Sequence, residues 1–174
     1  FVQALVPRIL SPLVIDADGL NLLAEDVSIL ADRLPKATIL TPHPGEMARL
    51  AGLDRQEVQA RRESVARDFA TAHKVTVILK GHETVVASPS GDVAVNTNGN
   101  NGMATGGSGD VLAGLLGGLL AQGMSTWDAA RLGVWLHGAA GDLAAEKFTA
   151  RAMLARDIIG LLPAAFASLE GQTD

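Results

Sequence analysis

The sequence contains no cysteine. That excludes thiol nucleophiles, thiolate metal centres and disulfide staples, and it fits a reducing cytoplasm. Positive charge is also scarce: 14 Lys and Arg stand against 19 Asp and Glu, a formal net charge of -5. No basic stripe is there to neutralise a nucleic-acid backbone, although a local cationic pocket is allowed. Long hydrophobic runs are missing too. The richest apolar stretch, residues 111–124, is interrupted by a glutamine and four glycines, is too short for a membrane span and reads as a buried helix. The opening FVQALVP lacks the basic start and apolar core of a signal peptide. There is no internal repeat, low-complexity tract or linker-like segment.

What is present suits a folded domain. The chain has 174 residues, 48% of them hydrophobic, enough for one domain with a sizeable core or for most of a larger one. It begins at Phe1 rather than Met, and a piece of a longer chain is expected.

Short apolar runs at 12–17, 37–41 and 75–79 predict buried strands, and residues 84–87 and 93–96 around SPSGD predict a hairpin. Helices are predicted over 19–34, with Pro35 closing it, from Pro44 to before Gly52, and over 55–73, 110–122, 126–148 and 155–168. This order predicts an α/β sheet whose strand ends carry short polar loops, where ligands of open α/β sheets gather.

Four polar clusters fall at those strand ends or at a facing helix start. In NNGMATGGSGD (100–110), closely spaced glycines let a backbone approach a ligand, and the following helix offers unpaired N–H groups to an anion. Asp110 is positioned to take a proton from a substrate hydroxyl. The plain alternative is a turn capped by Ser108 or Asp110. No lysine follows the glycines, so the string is not a Walker motif. In TPHPGE (41–46) two prolines bracket His43, and Glu46 either stabilises a helix start or holds a hydrated Mg²⁺. In KGHET (80–84) Lys80 either neutralises phosphate or is an exposed lysine in a turn. In DADGLN (16–21) Asp16, Asp18 and Asn21 form either a helix cap or a polar wall. The four histidines lack metal-ligand spacing; His137 reads as a packed or surface residue, and Arg61–Arg62 as a solvated helix face.

With these strings in order, VIDADGLNLL, TPHPGEMARL, VILKGHETVV and GMATGGSGDVLAGLLGGLLAQG, the chain resembles the ADP- or ATP-dependent NAD(P)H-hydrate dehydratases of the ribokinase-like superfamily. The resemblance covers almost the whole chain. It implies an α/β fold, a mostly parallel central sheet flanked by helices in three layers (α/β/α). It implies repair of hydrated NADH or NADPH: ADP or ATP phosphorylates the ring hydroxyl, and phosphate leaves as the double bond returns, with Mg²⁺ assisting. By the same resemblance His43, Asn21 and Asp110 meet the substrate, with Asp110 as base. Lys80, Gly81, His82, Glu83 and Thr84 form a nucleotide-binding turn, and Gly106, Gly107, Ser108 and Gly109 meet the nucleotide phosphates. The N-terminal segment usual in the family is unmatched, so residues 1–174 read as one domain lacking its first part. A cytoplasmic homo-oligomer, with a tetramer favoured, is implied, with no nucleic-acid or membrane partner. The runner-up is a ribokinase-like kinase of the hydroxymethylpyrimidine or hydroxyethylthiazole type; it would share GSGD but carry Asn where His43 stands.

Overall fold

Side chains alternate across a strand, and here both faces of the sheet are apolar. Strands β1 (Leu13–Ile15), β2 (Thr38–Leu40), β3 (Thr76–Leu79), β4 (Thr84–Ala87) and β5 (Val93–Asn96) form one five-stranded sheet in sequential order. The computed structural model describes residues 2–33 and 37–170. Ile15, Leu40, Val77, Leu79, Val85 and Ala87 point to one face. There they meet α2 (Asp18–Leu23), α3 (Pro44–Ala51), α4 (Arg55–Ala60) and α5 (Arg62–His73). Ile39, Ile78 and Val86 point to the other face, onto α6 (Ser108–Ala121) and α7 (Thr126–Phe148). Helix α8 (Ala155–Glu170) packs against α7 through Ile158 and Ala165, and α1 (Val2–Leu5) opens the chain. The expected three layers are present.

The sheet is mixed rather than mostly parallel. β1–β2 and β2–β3 pair in parallel, whereas β3–β4 and β4–β5 are antiparallel. The physical reason is loop length. Helical crossovers separate β1, β2 and β3, but only short turns join β3 to β4 and β4 to β5, and a short turn can only reverse direction.

Two expected helices are interrupted. The segment predicted over 19–34 splits into α2 and a 3-10 turn, Val27–Asp32. Asp26 causes the split: its carboxylate accepts from the Ser28 amide at 3.0 Å and hydroxyl at 2.5 Å, competing with helical bonding. Leu34 and Pro35 lie outside the described residues. The segment predicted over 55–73 breaks at Arg61, which leaves helical dihedrals at φ -134°, ψ 42° between α4 and α5.

One buried arginine fastens the N-terminal segment to the sheet. Arg33 Nε donates to Thr38 Oγ1 at 3.1 Å. Its terminal nitrogens donate to the carbonyls of Val6 at 2.9 Å, Ile9 at 2.5 Å and Ser11 at 3.1 Å. Burial lowers its pKa from the ordinary value.

Candidate functional site

The parallel strands end together, and that brings the sequence clusters into one place. Thr41 N donates to Ile15 O at 3.2 Å and Lys80 N to Pro42 O at 2.8 Å, tying the ends of β1, β2 and β3. Across this edge Lys80 Nζ meets Asp16 Oδ1 at 2.7 Å, both side chains largely withdrawn from solvent. A Cβ on Gly109 would lie 3.3 Å from Asp16 Oδ2 and 3.5 Å from Lys80 Nζ, so the start of α6 rests directly on the pair. The 100–110, 80–84 and 16–21 clusters therefore converge. Lys80 is not the exposed turn lysine of the plain reading; it is half-buried and ion-paired.

Gly107 takes φ 88° and opens α6. Among the described residues, the N–H groups of Gly109 and Asp110 donate to no protein acceptor, and free amides at a helix start are the donors that an anion can meet. Gly109 and Ser108 line a cleft of about 750 Å³, together with Lys80 and the whole Gly81–Thr84 turn. Asp110 is the next residue, exposed and outside that lining, with no partner for its carboxylate among the described residues.

The 80–84 turn is held from below. Arg62 donates to the carbonyls of Leu79 at 2.9 Å, Lys80 at 3.4 Å and Glu83 at 3.4 Å. Burial lowers the Arg62 pKa, and the Glu83 charge opposes that. Gly81 takes φ 140°, and a Cβ there would stand 3.1 Å from the Arg62 guanidinium. Glu83 takes φ 54°, a conformation that L residues rarely adopt. The reading of Arg61–Arg62 as a solvated face is half wrong. Arg61 is exposed and pairs with Glu57, whereas Arg62 turns inward because the helix breaks between them.

His43 is the N-cap of α3. Its Nδ1 accepts from Gly45 N at 2.9 Å and Glu46 N at 3.2 Å, while Glu46 Oε2 accepts from His43 N at 2.7 Å. This reciprocal capping fixes the imidazole tautomer; the remaining ring nitrogen, Nε2, lies 3.4 Å from Glu46 Oε1, and the side chain as a whole is half exposed at the cleft. Glu46 is buried and both its oxygens turn toward His43. The geometry gives Glu46 a capping role and no opening toward a metal. Asn21 sits outside the cleft and accepts from Arg49 Nε at 2.9 Å.

Two features were not legible in the sequence. Asp16 was a weak candidate among several acids, and its pairing with Lys80 was not foreseen. His137 is packed, as expected, but it also lines the cleft and lies 3.3 Å from Ser108 Oγ. Burial lowers its pKa to about 4; the Ser108 contact opposes the shift and the Lys80 charge adds to it. The imidazole is thus neutral at neutral pH. A histidine beginning a small-residue run, HGAAGD, was the available signal.

A family model described as NAD(P)H-hydrate dehydratase matches residues 2–164. The chain is 47% identical over 174 residues to the bifunctional NAD(P)H-hydrate repair enzyme of Moorella thermoacetica, covering 99% of this chain and 32% of that protein. It is 52% identical over 137 residues to the ADP-dependent (S)-NAD(P)H-hydrate dehydratase of Neisseria meningitidis, covering 78% of this chain and 46% of that protein. Its structure matches the Bacillus subtilis ADP/ATP-dependent NAD(P)H-hydrate dehydratase, co-crystallised with ATP and Mg²⁺, with a TM-score of 0.80 at 32% identity, over 94% of this chain and 57% of that one. A hydroxyethylthiazole kinase from Pyrococcus horikoshii shares the fold, with a TM-score of 0.69 at 19% identity. The chain thus spans a third to about three-fifths of the length of the dehydratase relatives.

Proposed function

The chain belongs to the NAD(P)H-hydrate dehydratase family, and from that premise we propose that it carries the nucleotide-driven half of a nicotinamide-repair site. The substrate is hydrated NADH or NADPH, and the phosphoryl donor is ADP or ATP. The observation that carries this reading is the start of α6. The amides of Gly109 and Asp110 are free, Gly109 lines the cleft, and it rests on the Asp16–Lys80 pair. A helix start bound to phosphate, with one unpaired carboxylate beside it, supplies what phosphoryl transfer needs: positioning, charge neutralisation and a proton acceptor.

In this scheme the 80–84 turn and Gly106–Gly109 hold the nucleotide. Lys80 is held by Asp16, so backbone amides provide much of the phosphate contact. His43 Nε2 meets the hydrated dinucleotide. Asp110 takes the proton of the ring hydroxyl as its oxygen attacks the terminal phosphorus, releasing AMP from ADP, or ADP from ATP. The C–O bond then breaks, phosphate departs with the bonding pair, and a ring proton leaves as the double bond re-forms.

A divalent cation, when bound, would supply further neutralisation of the phosphates. Among the described residues no group of three or more His, Asp or Glu converges. That fits Mg²⁺, which is held mainly by phosphate oxygens and water with one or two carboxylates. Asp16, with its Oδ2 outside the Lys80 bond, is the carboxylate at the turn that would hold it.

The hydroxyethylthiazole kinase shares only the fold, and the higher-identity relatives favour dehydration over the kinase reading. Among the described residues no helix is long and apolar enough to cross a membrane. A cytoplasmic setting is part of the proposal, supported by the lack of cysteine. So is a homo-oligomer with four copies favoured, supported by the exposed Leu154, Ile159 and Phe166. Residues 1–174 are proposed as part of one larger ribokinase-like domain, since they span 57% of the Bacillus subtilis chain.

The test is incubation with hydrated NADH, Mg²⁺ and ADP or ATP, following the return of dihydronicotinamide absorbance. Nucleotide-dependent recovery that Asp110→Asn abolishes, with nucleotide binding kept, supports the reading. Near-normal turnover by Asp110→Asn overturns the base, and turnover of thiazole or pyrimidine alcohols in place of hydrated NADH overturns the reaction.

A further inference from the structure

One wall of the cleft is an asparagine- and glycine-rich loop, residues 96–104, and helix α7 determines its shape. Asp142 Oδ2 accepts from Gly99 N at 2.8 Å and Asp142 Oδ1 from Asn100 Nδ2 at 2.9 Å. Asn100 Nδ2 also donates to Gly141 O at 2.9 Å, and Asn100 Oδ1 accepts from Gly102 N at 3.0 Å. About two turns earlier on α7, Asn98 Nδ2 donates to Trp135 O at 2.9 Å. Glycine is required where the loop touches the helix: a Cβ on Gly138 would collide with Asn98, and one on Gly141 with Met103.

The bonding at Asp142 admits only a carboxylate. The Asn100 amide is fixed in orientation, because its oxygen takes the Gly102 N–H and its nitrogen must face Gly141 O. Both groups aimed at Asp142 are then donors, and two donors need two acceptors. A side-chain amide at 142 would present its own N–H₂ to one of them. The carboxylate itself is outside the cleft lining, whereas Gly99, Asn100 and Asn101 are in it.

We infer that Asp142 is a positioning residue for the nucleotide: through Gly99 and Asn100 it holds the 98–101 wall in the shape that receives ADP or ATP. The inference rests on the reading of the cleft as a nucleotide site. Asp142 makes no contact with the reacting atoms, so its loss acts on nucleotide affinity rather than on the chemical step.

The experiment compares Asp142→Asn, Asn100→Asp/Asp142→Asn and Glu146→Gln, an exposed position one turn along α7. Nucleotide KM, kcat, calorimetric nucleotide Kd and amide exchange at Gly99 and Gly102 are measured. Asp142→Asn is expected to raise nucleotide KM and Kd about tenfold, the loss of one charge-assisted hydrogen bond, with kcat within about twofold. Exchange at Gly99 and Gly102 should quicken. The double variant restores a donor facing an acceptor between 100 and 142 and keeps the acceptor for Gly102 but gives up the donor to Gly141 O, so its affinity should follow its Gly99 and Gly102 exchange; it carries the test if Asp142→Asn does not fold. Glu146→Gln should match the wild type. Unchanged Kd in Asp142→Asn, a fall in kcat at constant KM, or a Kd in the double variant that does not follow its Gly99 and Gly102 exchange would overturn the inference. Wild-type protein that binds neither ADP nor ATP would overturn the underlying reading instead, and the inference with it.

Discussion

Lys80 Nζ and Asp16 Oδ1 lie 2.7 Å apart although 64 positions separate them in the chain. The pair joins the end of β3 to the end of β1, and the first turn of α6 sits on it through Gly109. A charge pair withdrawn from water is costly to break on one side only, because the partner is left uncompensated.

Removing one member should therefore be worse than removing both. Asp16→Asn or Lys80→Met should each destabilise the fold by about 3 kcal/mol, and the double variant by clearly less than the sum. Urea unfolding of the three variants measures this. Additive losses would mean that the pair does not act as a unit.

Gly109 separates fold from ligand binding. Alanine is the better helix former, so Gly109→Ala should change the melting temperature little. Its methyl group would press on Asp16 and Lys80 at 3.3 and 3.5 Å and narrow the approach of a phosphate. A rise in nucleotide KM at unchanged melting temperature is the expected result, read by kinetics and calorimetry on one sample.

His137 makes stability depend on pH in a definite direction. Its folded pKa, about 4, lies below the unfolded value of about 6.5. Between these values the unfolded chain binds the extra proton, so stability is full above about pH 6.5 and falls as pH drops toward 4. His73, also lowered by burial, acts in the same sense. His137→Gln should flatten the slope of unfolding free energy between about pH 6.5 and pH 4.5, removing at most about 3 kcal/mol of pH dependence. A variant with the wild-type slope would assign that dependence to other groups.

Arg33 should be the costliest surface-distant substitution near the N-terminus. Arg33→Ala leaves the carbonyls of Val6, Ile9 and Ser11 and the Thr38 hydroxyl without their donor. A loss of about 3 kcal/mol is expected. Faster proteolysis within residues 2–12, ahead of the sheet, would accompany it.

Local chemistry in the sequence was sufficient for the strands and most of the helices, and for which loops gather at the candidate site. The apolar runs at 37–41 and 75–79 form buried strands because every side chain there is covered on one face or the other. Gly52 ends α3 in the left-handed region, and the TPHPGE string starts it, as turn and cap preferences require. KGHET lies in one cleft with Ser108 and Gly109 of GSGD, where strand-end loops of an α/β sheet were expected to meet.

Tertiary structure decided which polar groups are partners. Arg61 and Arg62 are neighbours of one type, and only the helix break sends Arg62 beneath the 80–84 turn. Glu46 could have faced a metal by its spacing, but capping geometry turned both oxygens to His43. Asp142 sits 43 positions from Gly99 and reaches it only when α7 packs across the sheet. Short-range patterns determine backbone state because propensities, caps and turn chemistry act within a few residues. Pairing across the sheet depends on which strands lie side by side, and that depends on how the whole chain buries its apolar faces.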